Sequence, residues 1–319
     1  MKKNAEIFLI IIFLAASFNS VAGQPGKKDL DYYRRLNEEE KRLLEFKDDD
    51  KALILKLAQL DVINQSRKRY RLAELDLDIL SSRVANRQCR EAALNGYLSH
   101  WNMAGEKPYH RYAFAGGYDH VSENAFGEWS SDDYENSEST IASMMKAGHT
   151  TFMKEKAPYD GHKKNILEKA HNYVGIGFFL KGGQFRYYEE FIDRYIDFKN
   201  VPSELKVNEE GRITVDTRGE SFLYFVTIYR EKNPEPMKVS QLMKTGSYGD
   251  FSGEVTLNIP VWNLAKYRNG SIYNIPVRFS KEGLYYIHIY TDRKENTGVT
   301  SADTKGKSPV SGIVIRVKR

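Results

Sequence analysis

Residues 152–180 decide how this chain is read. They run Phe152-Met153-Lys154-Glu155, then Gly161-His162-Lys163-Lys164-Asn165-Ile166-Leu167, then Tyr173-Val174-Gly175-Ile176-Gly177-Phe178-Phe179-Leu180. The last segment is a strand. Gly182-Gly183 after it forms a tight turn able to take positive φ at both central positions, and Gln184 to Tyr188 return as the hairpin partner. Upstream, the hydroxyl cluster Ser137 to Thr140 caps a helix carrying Ile141, Met144, Met145, Gly148 and Phe152 on one face. Glu155 lies three residues beyond Phe152 and continues that stripe, while Lys154 and Lys156 fall away from it. A carboxylate aimed inward needs a partner. His162 is placed to supply one, with Gly161 giving the chain freedom to turn the imidazole toward the helix. Imidazole and carboxylate suit each other as a hydrogen-bonded pair or as ligands of a divalent metal, with zinc the natural candidate for a two-histidine site.

Working outward, Leu80, Val84, Ala85, Cys89, Ala92, Ala93, Gly96 and Tyr97 recur at helical spacing, giving a long helix that ends near Ser99-His100. Trp101 to Asp133 reads as a loop rich in Gly, Tyr and polar residues. Lys27 to about Leu60 is charge-dense and Leu-punctuated, as in two short helices, and Ile63-Asn64 opens the next stretch. Past Pro202 the character changes. Arg212 to Thr217, Phe222 to Tyr229, Glu254 to Ile259, Ile275 to Phe279, Leu284 to Thr291 and Gly312 to Val317 are β-type runs separated by turn residues, as in an antiparallel sandwich. Glu282-Gly283-Leu284-Tyr285 resembles the tyrosine corner of immunoglobulin-like sandwiches, although their cysteine pair is absent. Two separately folded pieces, divisible by proteolysis near residues 199–211, are expected.

With 319 residues, two domains are expected. The net charge of +5 is spread among mixed acids and bases, which is not the one-sided basic face of a nucleic-acid partner. Lys2 and Lys3 precede the apolar run Ile7 to Ala16, and Ser20-Val21-Ala22-Gly23 follows, the order of a secretory leader cleaved near Gly23. Ten apolar residues are too few for a bilayer span of roughly 20. A secreted or periplasmic protein without a transmembrane segment in its mature chain is the expectation. Cys89 is then alone, with small helical neighbours that suit an inert buried thiol.

Several short motifs occur in a telling order: Ile63-Asn64, Leu98-Ser99-His100, Ser122-Glu123-Asn124, Phe152 to Glu155, Gly161 to Leu167, and Val174-Gly175-Ile176-Gly177. In this order the chain resembles bacterial members of the CAP superfamily, which comprises cysteine-rich secretory proteins, venom antigens and plant pathogenesis-related proteins. The resemblance covers roughly residues 61 to 198. It implies an α-β-α sandwich whose cleft holds a His-Glu-Glu-His tetrad, matched here by His100, Glu123, Glu155 and His162. In several members the tetrad takes a divalent metal, and others bind sterols or lipids in separate grooves. Ser122 stands where the family usually has Gly, the eukaryotic disulfides and the extended aromatic motif after the second His are missing, and residues 200–319 lie outside the resemblance. The expected fold is α+β: a leader over 1–23, a helical extension over 24–60, a CAP-like α-β-α sandwich over 61–198, and an all-β immunoglobulin-like sandwich over 200–319.

The functional expectation is a secreted binding module that holds a lipid, peptide or envelope glycan at the tetrad cleft, with the Tyr-rich loop adding apolar area. The alternative is a metal-dependent hydrolase in which Glu123 or Glu155 is the catalytic base. Under either reading, His100 and His162 hold the metal while Glu123 and Glu155 orient the imidazoles or a water, and affinity falls below about pH 6.5, the free histidine value. An inward His and Glu cluster also serves as a plain polar network tying a loop to helices. His110, His120, His149, His171 and His288 read as ordinary surface or core residues. Ser143-Met144-Met145-Lys146, Ser122-Glu123-Asn124 and Lys244-Thr245-Gly246 mimic the motifs of penicillin-recognising enzymes, but in the wrong order.

Overall fold

The computed structural model describes residues 28–248, 254–296 and 298–319; the expected leader lies outside them. The chain opens with α1 (Leu30–Glu39) and α2 (Asp50–Arg69), each capped by an aspartate, Asp29 or Asp49, that accepts an N–H of the first turn. The charge-dense segment is therefore one short helix, a 3₁₀ turn and one long helix. The expected division at residue 60 falls inside α2, where Leu53, Leu60 and Ile63 share one buried face. Asn64 then fixes the exit of the helix by donating to the carbonyl of Leu75 and accepting its N–H.

After β1 (Asp76–Leu77) comes α3 (Ile79–Asn95), which stops at Gly96 in the left-handed region, before the expected Ser99. Where a loop was expected, α4 (Pro108–Phe114) and the ten-residue strand β2 (His120–Trp129) appear. The tyrosines of that stretch are core residues: Tyr109 and Tyr112 are buried. α5 (Glu138–Lys154), α6 (Gly161–Ile166), β3 (Tyr173–Lys181) and β4 (Gln184–Asp193) complete the first unit, and at the β3–β4 turn only Gly182 takes positive φ. Its sheet has the order β1-β3-β4-β2, with β1 and β3 parallel and the remaining pairs antiparallel. Val174 and Ile176 face α2 and α5. The intervening glycines face α3, where a Cβ on Gly175 would stand 2.2 Å from Ser81 Oγ and one on Gly177 would stand 2.4 Å from Ala85. The Val-Gly-Ile-Gly motif thus records how closely α3 lies on the sheet.

Three residues after β4 the chain enters the sandwich. One sheet holds β5 (Asp197–Asn200), β7 (Glu210–Asp216), β11 (Ile272–Arg278) and β10 (Arg268–Asn269). The other runs β6-β13-β12-β8-β9, with β6 at Glu204–Lys206, β8 at Phe222–Glu231, β9 at Glu254–Pro260, β12 at Gly283–Asp292 and β13 at Ile313–Lys318. Two single-turn helices, α7 (Val239–Leu242) and α8 (Val261–Leu264), interrupt the β pattern. Tyr285 donates to the carbonyl of Lys281 at 2.9 Å, so the tyrosine corner is formed.

The two units are not separable pieces. Leu80, Val84, Tyr109, Val121 and Ile192 share one apolar cluster with Tyr229, Leu284, Tyr286 and Val314 of the sandwich. Tyr109 stacks on Tyr286 with ring centroids 4.3 Å apart and donates to Glu231 at 2.6 Å. Burial alone would raise the Glu231 carboxyl, but bonds from His110 and Tyr109 and the charge of Lys107 hold it near about 2. Cutting at 199–211 would sever β5 from β7 rather than free two domains. A single cooperative thermal transition is therefore expected by calorimetry, and Tyr286→Ala is expected to cost about 3–5 kcal/mol of it. Two separate transitions, with only the later unit affected, would contradict the shared core.

Candidate functional site

β2 is the element that organises the polar centre, because successive side chains along a strand go to opposite faces. Ser122 and Asn124 face α6. Ser122 Oγ donates to Asn165 at 2.6 Å, Asn124 Nδ2 donates to the His162 carbonyl at 3.2 Å, and Asn165 bonds back to Asn124 at 3.0 Å. Glu123, between them, points to the α3 and α4 side. There it meets His100 Nδ1 at 2.8 Å and the guanidinium of Arg111, from α4.

Opposite Glu123 on β4 stands Glu190. Glu123, Glu190 and Arg111 have side chains 0% exposed, and Arg111 reaches Glu190 at 3.5 Å. Burial raises both carboxyls, Glu123 to about 7 and Glu190 well above the ordinary carboxyl range, the latter also because the charge of Glu123 stands beside it. Both shifts favour retention of a proton by the pair. Burial and the neighbouring Arg111 lower His100 to about 4, so its imidazole is neutral and donates to Glu123 through Nδ1. The expected turning point at pH 6.5 does not hold for His100.

The second pair is local. Glu155 caps α5, and its carboxylate accepts the backbone N–H groups of His162 and Lys163 at 3.0 and 3.3 Å as well as His162 Nδ1 at 2.5 Å. The imidazole lies on Phe152, ring centroids 4.6 Å apart. Position Phe152 thus supplies the shelf and Glu155 the anchor for His162. Side-chain exposure of 35% for His162, 21% for Glu155 and 15% for His100 leaves this centre open to solvent at its rim.

Sequence reasoning misses three partners. Arg111 and Glu190 lie on elements that the sequence reads as loop or as past the end of the strand. The third, Tyr248, comes from the second unit: it accepts the backbone N–H of Glu123 at 2.8 Å, its ring lies 4.8 Å from that of His100, and Thr245 bonds Ser99 at 2.7 Å. The histidines expected as ordinary surface or core residues are buried in polar networks. His149 links Ser66 (2.9 Å) to Glu189 (2.8 Å), and His120 and His171 share Asp193 at 2.8 and 2.6 Å. The Ser66-His149-Glu189 chain has the bond order of an activated hydroxyl, yet Ser66 is buried between α2 and α5 and lines none of the principal cavities. It ties helices to the sheet. Ser143 and Lys146 are exposed on α5, away from this centre. A cavity of about 850 Å³ lies elsewhere, between α1, the start of α3 and the chain entering β5.

Residues 60–191, which include this helix-sheet-helix layer, match the cysteine-rich secretory protein family, CAP. Over that stretch the chain is similar to the CAP family. An extracellular protein with an SCP domain from Bacillus anthracis is similar at 21% identity over 43% of this chain and 39% of that one, with a TM-score of 0.33. An outer surface protein of Borrelia burgdorferi is similar at 17% identity over 42% and 89%, also with a TM-score of 0.33. A CARDB domain from Pyrococcus furiosus is similar at 15% identity over 39% and 96%, with a TM-score of 0.18. No curated protein matches the chain. Among the described residues no helix is long and apolar enough to cross a membrane.

The buried acid pair sets a pH dependence. Since the folded-state values of Glu123 and Glu190 lie above the ordinary 4.5, their contribution is whole below about pH 4.5 and is lost as pH rises through 7. Asp193 acts in the opposite sense: bonds from His120 and His171 overcome burial and hold it near about 2, so its contribution is present above 3.8 and lost as pH falls toward 2. Urea unfolding between pH 5 and 8 should show wild-type stability falling by about 1.4 kcal/mol per pH unit for each proton the pair holds beyond the unfolded chain. Glu190→Gln should flatten that slope, while Arg111→Met should cost about 3–5 kcal/mol by leaving buried carboxylates uncompensated. An unchanged slope in Glu190→Gln would show that the pair holds no extra proton.

Proposed function

We propose that this is an exported protein whose CAP domain binds a small ligand, a lipid, peptide or envelope glycan, between the His100–Glu123 and Glu155–His162 pairs. The observation that carries this reading is the clamping of both imidazoles through Nδ1 on partly exposed side chains, which leaves Nε2 as the ring nitrogen for an incoming group. Among the described residues no hydroxyl or thiol is hydrogen-bonded to either ring, and the thiol of Cys89 is buried and pushed up by that burial. Binding is therefore favoured over covalent catalysis. Export rests on the leader-like start of the chain, in keeping with the extracellular and outer-surface descriptions of the similar proteins.

A hydrolytic reading has one observation in its favour: Glu123 is raised to about 7, where a general base works. Against it, Glu123 is fully buried and already holds His100 and Arg111.

His100 and His162 would hold a divalent metal, zinc by preference for imidazole, with Glu123 and Glu155 as the groups that orient them. Among the described residues no group of three or more His, Cys, Asp or Glu is assembled as a metal site, and the two imidazoles are the groups that would take the metal. Bound there, the metal would contribute Lewis acidity toward a ligand oxygen. Calorimetric titration with zinc at pH 7.5 should give one site, weakened at least about tenfold in His100→Ala and in His162→Ala, and weakened in Glu155→Gln through lost orientation. Undiminished binding in both histidine variants would place the metal elsewhere.

A further inference from the structure

We infer that the ligand of this centre is an extended peptide that adds as a further strand to the free edge of β2, an inference that rests on the binding reading above. Among the described residues β2 is the outer strand of its sheet and pairs only with β4. In an antiparallel pair, N–H and C=O of one residue point the same way and successive residues alternate. Just past the strand, Ser130 N–H turns inward to Gly183 O at 2.9 Å, whereas Glu123 N–H points outward to the Tyr248 hydroxyl at 2.8 Å. Odd-numbered residues therefore present their backbone groups to the outside, and Glu123, Ala125 and Gly127 form a row of donors and acceptors. Among the described residues the outward groups of Ala125 and Gly127 meet no hydrogen-bond partner. This part of the strand is half-buried at Ala125 to Gly127 and exposed at Glu128 and Trp129.

Such an edge recognises a chain with carbonyls and amides at the repeat of a β-strand, about 6.8 Å for every second residue. An extended peptide has that repeat. A lipid tail carries no donors, and sugar hydroxyls do not recur at this spacing. Tyr248 already places an oxygen where the first peptide carbonyl would sit, which identifies the acceptor this edge calls for. Alternation also ties the edge to the two His–Glu pairs. Glu123 stands with His100 on one face of β2, and Ser122 and Asn124 stand with the His162 helix on the other. A strand laid along this edge sends alternate side chains toward His100 and toward His162.

The test uses the full chain, ¹⁵N-labelled, and the uncharged peptide Ac-Thr-Val-Thr-Gln-Thr-Val-Thr-amide. Addition of millimolar peptide is expected to shift the amides of Ala125 and Gly127 and to slow their hydrogen exchange at least tenfold. The same peptide N-methylated at alternate residues is expected to do neither. Ala125→Pro removes an outward donor while sparing the β4 ladder, and should weaken binding at least tenfold. Should that variant fail to fold, the N-methyl comparison decides alone. Tyr248→Phe removes the competing oxygen and should tighten binding. Silent edge amides, or equal effects of both peptides, would overturn strand addition. If the edge stays silent while other ligands still perturb His100 and His162, the binding reading survives without it.

Discussion

Everything at the centre of this molecule follows from placing Glu123, Glu190 and Arg111 where water does not reach. Two carboxylates and one guanidinium carry an uncompensated negative charge, which a dry site does not tolerate. The fold resolves it in two ways, by a proton retained on the acid pair and by a neutral His100 donating to Glu123. Each participant comes from a different element: β2, β4, α4 and the segment after α3. The requirement to satisfy one buried charge set therefore fixes four pieces of chain against each other.

That arrangement leaves β2 with an unusual division of labour. Ser122 and Asn124 hold α6, Glu123 holds His100 and α4, and farther along the strand the outward backbone groups of Ala125 and Gly127 meet no hydrogen-bond partner among the described residues. One side of the edge is bounded by the sandwich, whose Tyr248 closes on Glu123 and His100. The shared cluster around Tyr109 and Tyr286 is what holds the second unit in that position. Packing between units and the shape of the functional centre are thus one problem.

How legible this was depended on sequence distance. The Glu155–His162 pair was readable because a carboxylate three residues beyond Phe152 and a histidine seven further on meet through local geometry. The tyrosine corner and the glycines of β3 were equally local. His100 and Glu123 came only through the order of family motifs. Arg111 and Glu190 gave weaker signals: α4 is a single tyrosine-rich stretch followed by Gly116-Gly117, and β2 has polar residues on both faces, so neither shows the apolar period that marks an element. One clue was present. Glu189 and Glu190 extend a strand of buried aromatics, and acids in such a strand demand partners, which proved to be His149 for one and Arg111 with Glu123 for the other. Tyr248 left no trace, since nothing local in Lys244 to Tyr248 announces a contact with a histidine in another unit.

The central claim is that the buried acid pair keeps a proton at neutral pH while His100 stays neutral. Carboxyl ¹³C spectra of glutamate-labelled protein, assigned with Glu190→Gln and Glu123→Gln, follow this directly. The account requires at least one of the two carboxyls to remain protonated at pH 6 and the His100 ring to stay neutral, with Nδ1–H, down to pH 5. Two carboxylates already ionised at pH 5, or a charged His100 there, would contradict it.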